Sequence, residues 1–315
     1  VSENRIPQFA SPLPKTQPIP AGGFKGNVSP DDVIRDLRQL PSTAKILPKL
    51  LEILRDDQAS MGDVVSLIKI DPGMAARVLQ IGNSAYYSPS HAARCPTMED
   101  AVYRVGLVKV YELVAYAATA QLLMRPLRSY RMEADAVWQA SVTCALAAER
   151  LARHVDVDFN AAYTAGLLHV VGIVAMDTWA ATQELPPQFL NGGLPNETTE
   201  SEKSLLGFTN SSVAGALLKS WSFPASIIEP IRWQFAPASA GGHKKMAALV
   251  HTAKWLRDAV HVEAEKPLPA APDPAILDIL KLEPADLEAS LDEVKDAFLK
   301  ASLLLADPAD SGTEV

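Results

Sequence analysis

Repeated helix starts constrain this sequence more than any other feature. Ser29-Pro30-Asp31-Asp32 sets a capping hydroxyl before a proline and two acids, which suit the positive end of a helix dipole. Ser60-Met61-Gly62-Asp63 is a capping box with Asp in the place of Glu. Asp71-Pro72 and Thr97-Met98-Glu99-Asp100 give two more starts. Apolar residues at helical spacing accompany them. Leu47, Leu50, Leu51 and Leu54 share one face, and Ala75, Val78, Leu79 and Ile81 share another. A long apolar helix is expected over about 108–124. Further helices are expected near 132–154, 159–178, 199–206, 210–221, 224–235, 243–261, 274–281 and 284–305. Alternating strand patterns with hairpin turns are absent from the sequence, so the expected fold is an all-α bundle.

Composition narrows the partners. Hydrophobic residues make up 48% and charged residues 21%, an ordinary globular balance. The net charge of −8 produces a field that opposes nucleic acid and anionic lipid. Cys95 and Cys144 are the two cysteines; neither lies in a CxxC or a Cys/His cluster, which fits a reducing cytoplasm. Cys144 reads as a small buried hydrophobe. Val1 to Ala10 has no apolar h-region, so no secretory signal is expected. The longest nearly apolar run, Ala165 to Met176, stops at Asp177 and reads as a buried helix too short to span a bilayer.

Punctuation divides the chain. Residues 1–27, rich in Pro, Gly and Ser, read as a flexible N-terminal arm or linker. Residues 28–130 read as an N-terminal helical lobe and 131–265 as a second one packed on it. Residues 266–315 read as a C-terminal helical extension after the punctuated stretch Pro267 to Pro274. Leu185 to Asn196, with three prolines and a Gly-Gly pair, is expected to be irregular.

Several motifs occur in series over about 40–240. Asp71-Pro72 opens a helix that leads into Asn83-Ser84-Ala85-Tyr86-Tyr87. Ala101-Val102-Tyr103-Arg104-Val105-Gly106 follows, then Gly166-Leu167-Leu168-His169-Val170-Val171-Gly172, then Leu217-Leu218-Lys219-Ser220-Trp221-Ser222-Phe223-Pro224. Each has a local reason. Pro72 fixes φ at the first turn, Asn83 ties off a helix end, Gly106 ends or bends one, and Gly166 and Gly172 admit close helix packing. Trp221, with Trp138, reads as a core anchor. Together the series resembles the HDOD family, the HD-related output domain of the HD phosphohydrolase superfamily. The resemblance implies an HD-like helical bundle and a role in bacterial signal transduction.

The resemblance also implies where a metal site would stand, and the residues there are wrong for it. A divalent ion needs several N/O ligands to polarise a phosphate and activate water. His169 matches the family histidine, but Val170 replaces the aspartate beside it. Ala140, in Trp138-Gln139-Ala140-Ser141, stands where members with a W-x-H-S pattern have His. Asn210 falls where a His is usual, and Gln234 and Phe235 replace a His-His pair. Glu202 is the one acid that motif alignment brings near. The expectation is a site without metal or other cofactor, a pocket filled by side chains, and a protein without hydrolytic activity. Its partner would be another signalling protein. The alternative is a divergent metal-dependent phosphohydrolase. A cyclic-dinucleotide or RNA binder, with Arg125, Arg128 and Arg131 around a stacking Tyr130, ranks below both, and no membrane association is expected.

Overall fold

The computed structural model describes residues 28–37, 46–56, 60–69, 72–84, 87, 95–183, 198–262 and 266–305. The expected arm over 1–27, Asp71, Ala85, Tyr86 and the loop over 185–196 lie outside them. Fifteen α-helices form among the described residues, with no strand beyond one isolated bridge, Leu127 to Met132. The all-α reading therefore holds.

Helices α1 (Pro30–Asp36), α2 (Ile46–Arg55), α3 (Met61–Ile68), α4 (Pro72–Gly82), α5 (Met98–Val105) and α6 (Leu107–Leu123) make the first half. The starts of α1, α3 and α5 are the predicted ones. Ser29 and Asp32 close a capping box on α1, Ser60 and Asp63 close another on α3, and Thr97 caps α5 through the Asp100 amide. Leu47, Leu50 and Leu51 are buried, and Leu54 packs on the core edge. Asn83 ties the end of α4 to the segment that leads into α5: its amide donates to the Cys95 carbonyl at 3.2 Å and its oxygen accepts from the Cys95 amide at 2.6 Å. Ser84 follows, its amide on the Ile81 carbonyl. Gly106 has φ +87° and serves both as the end of α5 and the start of α6, a conformation that a side chain resists.

A tight connector, Met124 to Met132, leads to α7 (Ala134–Val155), α8 (Phe159–Leu168), α9 (Val171–Thr182), α10 (Thr198–Leu206), α11 (Asn210–Ser220) and α12 (Ala225–Arg232). A 3-10 turn, Pro237–His243, precedes α13 (Lys244–Val260). Helices α14 (Pro274–Leu280) and α15 (Pro284–Leu305) follow. Trp221 caps the end of α11 and is buried, while Pro224 starts α12. The α7–α8 hairpin is the centre of the molecule; α13 and α15 pack along α7, and α1 crosses over to α9 and α11.

One expectation needs correction. Residues 159–178 form two helices, not one, broken at His169 and Val170 and continuing to Thr182. No Pro marks the break, so periodicity could not locate it. The segment Phe159–Thr182 is long and apolar enough to cross a membrane by length and composition, unlike the shorter run read from the sequence. However, 89% of its most apolar window is buried inside the fold. Asp177, just past the apolar run, lies inside α9; it is buried and accepts from the Ser129 amide at 2.7 Å.

Candidate functional site

The α8–α9 break turns His169 into the middle of the core, with no exposed surface. Two glycines flank it at close crossings. A Cβ on Gly166 would stand 2.6 Å from the Cys144 carbonyl oxygen of α7, and one on Gly172 would stand 1.9 Å from the Asn210 carbonyl oxygen of α11. Three helices thus converge on the histidine because side chains are missing where they cross.

The hydrogen bonds define the imidazole. Nδ1 lies 2.6 Å from the Gly166 carbonyl, which can only accept, so Nδ1 carries the proton. Nε2 then presents its lone pair, and Arg257 Nη1 donates to it at 2.8 Å. Burial, and then the Arg257 charge, hold the His169 pKa well below the usual histidine range. The ring is neutral, as a metal ligand would be, but its lone pair faces a guanidinium. Arg257 is 1% exposed and is anchored from its other side by Asp258, with Oδ1 2.7 Å from Nη2 and 2.8 Å from Nε.

The remaining expected positions are around this centre. Ala140 on α7 and Val170 are fully buried and offer no donor atom. Gln234 is buried, and its Nε2 donates to the His169 carbonyl at 3.0 Å and the Ile231 carbonyl at 3.1 Å. Phe235, half-buried, lays its ring 3.6 Å from Lys254 Nζ. Asn210 turns away to Glu202: its backbone N–H donates to Oε2 at 2.6 Å and its Nδ2 to both carboxylate oxygens, at 3.0 and 2.9 Å. Glu202 is itself sealed and also accepts from the Tyr130 hydroxyl at 2.7 Å. Burial raises its pKa despite these donors.

These residues do not fit a catalytic dication. The one imidazole lone pair is taken by a cation, and a guanidinium repels the ion that would replace it. The acid within motif reach, Glu202, is spent on Asn210 and Tyr130. Among the described residues, no group of three or more His, Cys, Asp or Glu side chains is placed to hold a metal.

Arg257 and Lys254 escaped sequence reading, although the signal was present. Val250, Lys254, Arg257 and His261 fall at i, i+4, i+7 and i+11, so two cations occupy one helical face with a valine. His251 shares the helix, half-buried, with Nδ1 2.9 Å from the Gln234 carbonyl. Tyr130 is the stacking residue of the nucleotide-binding alternative. It has no exposed surface, so it cannot stack on a base, and Arg125 turns to Asp177 at 3.6 Å.

The HDOD domain family model matches residues 40–237. This chain belongs to the HDOD family. Solved structures agree with the HDOD fold. A signal transduction protein from Marinobacter aquaeolei VT8 is 25% identical with a TM-score of 0.65, over 88% of this chain and 61% of that one. The chain therefore spans less than two thirds of that relative. An HDOD domain protein of unknown function from Geobacter sulfurreducens gives 21% and 0.62, over 88% and 98% of the two chains. A protein from Shewanella amazonensis SB2B designated a phosphohydrolase gives 22% and 0.60, over 89% and 100%. No curated protein matches the chain.

Proposed function

We propose that this HDOD chain is a non-catalytic signal-transduction module that works by binding a protein or a small ligand. One observation carries the reading: Arg257 donates to Nε2 of His169, the nitrogen a metal would use. With Val170 and Ala140 at the neighbouring family positions, the centre has exchanged a ligand set for a packed ion pair. Signalling is the role carried in the name of the Marinobacter relative, and family membership is consistent with it. The module acts in the bacterial cytoplasm, on a signalling protein that recognises the helical surface.

The test is hydrolysis of bis-p-nitrophenyl phosphate and cyclic dinucleotides with manganese or ferrous ion present. The reading expects no turnover above buffer, and no difference between the natural chain and His169→Ala. Metal-dependent turnover abolished by His169→Ala would replace it with a divergent phosphohydrolase.

A further inference from the structure

Helix α13 buries two cations one turn apart, Lys254 and Arg257, each 1% exposed. Arg257 is met by Asp258, whose side chain is 33% exposed. Lys254 Nζ has no hydrogen-bond partner and rests on the Phe235 ring. A π face attracts an ammonium but leaves its three N–H donors without an oxygen. Across the seam, on α7, the Ser141 hydroxyl is buried without a partner, one turn before Cys144. Around His169, the residues at the family's acid and imidazole positions are Val170, Ala140 and Phe235, so they bring no negative charge. The centre sets two cations against one partly exposed carboxylate.

We propose that Lys254, with Arg257 behind it, is a recognition site for a small oxyanion of the phosphate class. The proposal rests on the reading that this centre is not a metal site, and it names the ligand the module would sense. A buried ammonium without an acceptor is costly, and an oxyanion supplies both the acceptor and the missing charge. Burial, and then the Arg257 charge, pull the Lys254 pKa well below the ordinary lysine range, and a bound oxyanion would oppose that pull. The pair is sealed between α7 and α13, so entry requires local opening of that seam and binding is slow.

The experiment is thermal unfolding of the full chain in sodium phosphate against sodium chloride of equal ionic strength, for the natural protein and Lys254→Met. The Lys254 Cε signal is followed by NMR in the natural protein. The expected result is a saturable rise in Tm of about 4 °C at a hundredfold excess over Kd, absent in Lys254→Met. The Lys254 Cε signal shifts over the same range. Saturation at lower concentration with a nucleoside monophosphate supports the site and assigns it to nucleotides. An equal, unsaturating rise in both proteins is the general exclusion effect of phosphate and overturns the proposal. So does a Cε signal that phosphate leaves unmoved, a result readable even if Lys254→Met fails to fold. Tightly bound metal would instead overturn the non-catalytic reading, whereas a metal-free protein blind to phosphate overturns this inference alone.

Discussion

A guanidinium directed at an imidazole lone pair makes Arg257 the residue on which the centre depends. Arg257→Ala leaves His169 without a donor and Asp258 without its cation, and opens a cavity. It should cost about 3 kcal/mol, read by urea unfolding, with Arg257→Met costing less because it keeps the volume. A loss under about 0.5 kcal/mol for Arg257→Ala would mean that the pair is incidental. Glu112 gives a second test, in pH. Burial raises its pKa to about 7 from an ordinary 4.5, although Lys109 lies 2.5 Å away. A carboxyl with a raised folded pKa contributes its full stability below about 4.5, and that contribution is lost as pH rises through about 7. Glu112→Gln should therefore be more stable than the natural protein at pH 8, by about 2 kcal/mol, and should flatten the pH profile between those values. A parallel profile for the two proteins would contradict the burial of an ionisable Glu112. At this scale the sequence showed which residue types stand at the family positions but not how Arg257 meets them. Val170, Ala140, Gln234 and Phe235 are legible because a missing ligand type is visible in a string. Arg257 becomes meaningful only when α13 is laid against the α8–α9 break.

Among the elements, the crossings and the connector carry the most information. Gly172→Ala drives a methyl group into the Asn210 backbone at the α9–α11 crossing, so it should lower stability by about 3 kcal/mol or abolish folding. Soluble protein with an unchanged melting temperature would show that the helices can separate there. The connector is held by two buried carboxylates, Asp177 on the Ser129 amide and Glu202 on the Tyr130 hydroxyl. Tyr130→Phe should cost about 1–2 kcal/mol and raise hydrogen exchange over 124–132 before the rest of the second half. Helix starts were legible because caps are local: Ser29, Ser60 and Thr97 each satisfy amides within three residues. The break at His169 was not legible, because it is set by α7 and α11 pressing on glycines rather than by a turn residue. The role of Asp177 was not legible either, since its partner Ser129 lies in the connector, distant in sequence.

The molecule as a whole reads as an HDOD bundle whose centre is closed by its own helix α13. Helices α7, α8, α11 and α12 bring together the places where ligands would stand, and the side chains at those places are filler, hydrogen-bond donors to backbone, or partners of Glu202. The α13 cations then supply positive charge from within the chain. On the proposed reading such a protein signals through its surface or through a bound anion, and its stability should be indifferent to chelators. The most direct test is the metal content of the purified protein by elemental analysis, before and after incubation with manganese or ferrous ion and desalting. The account predicts well under one ion per chain in both samples. One or two tightly held ions per chain, lost on His169→Ala, would contradict it.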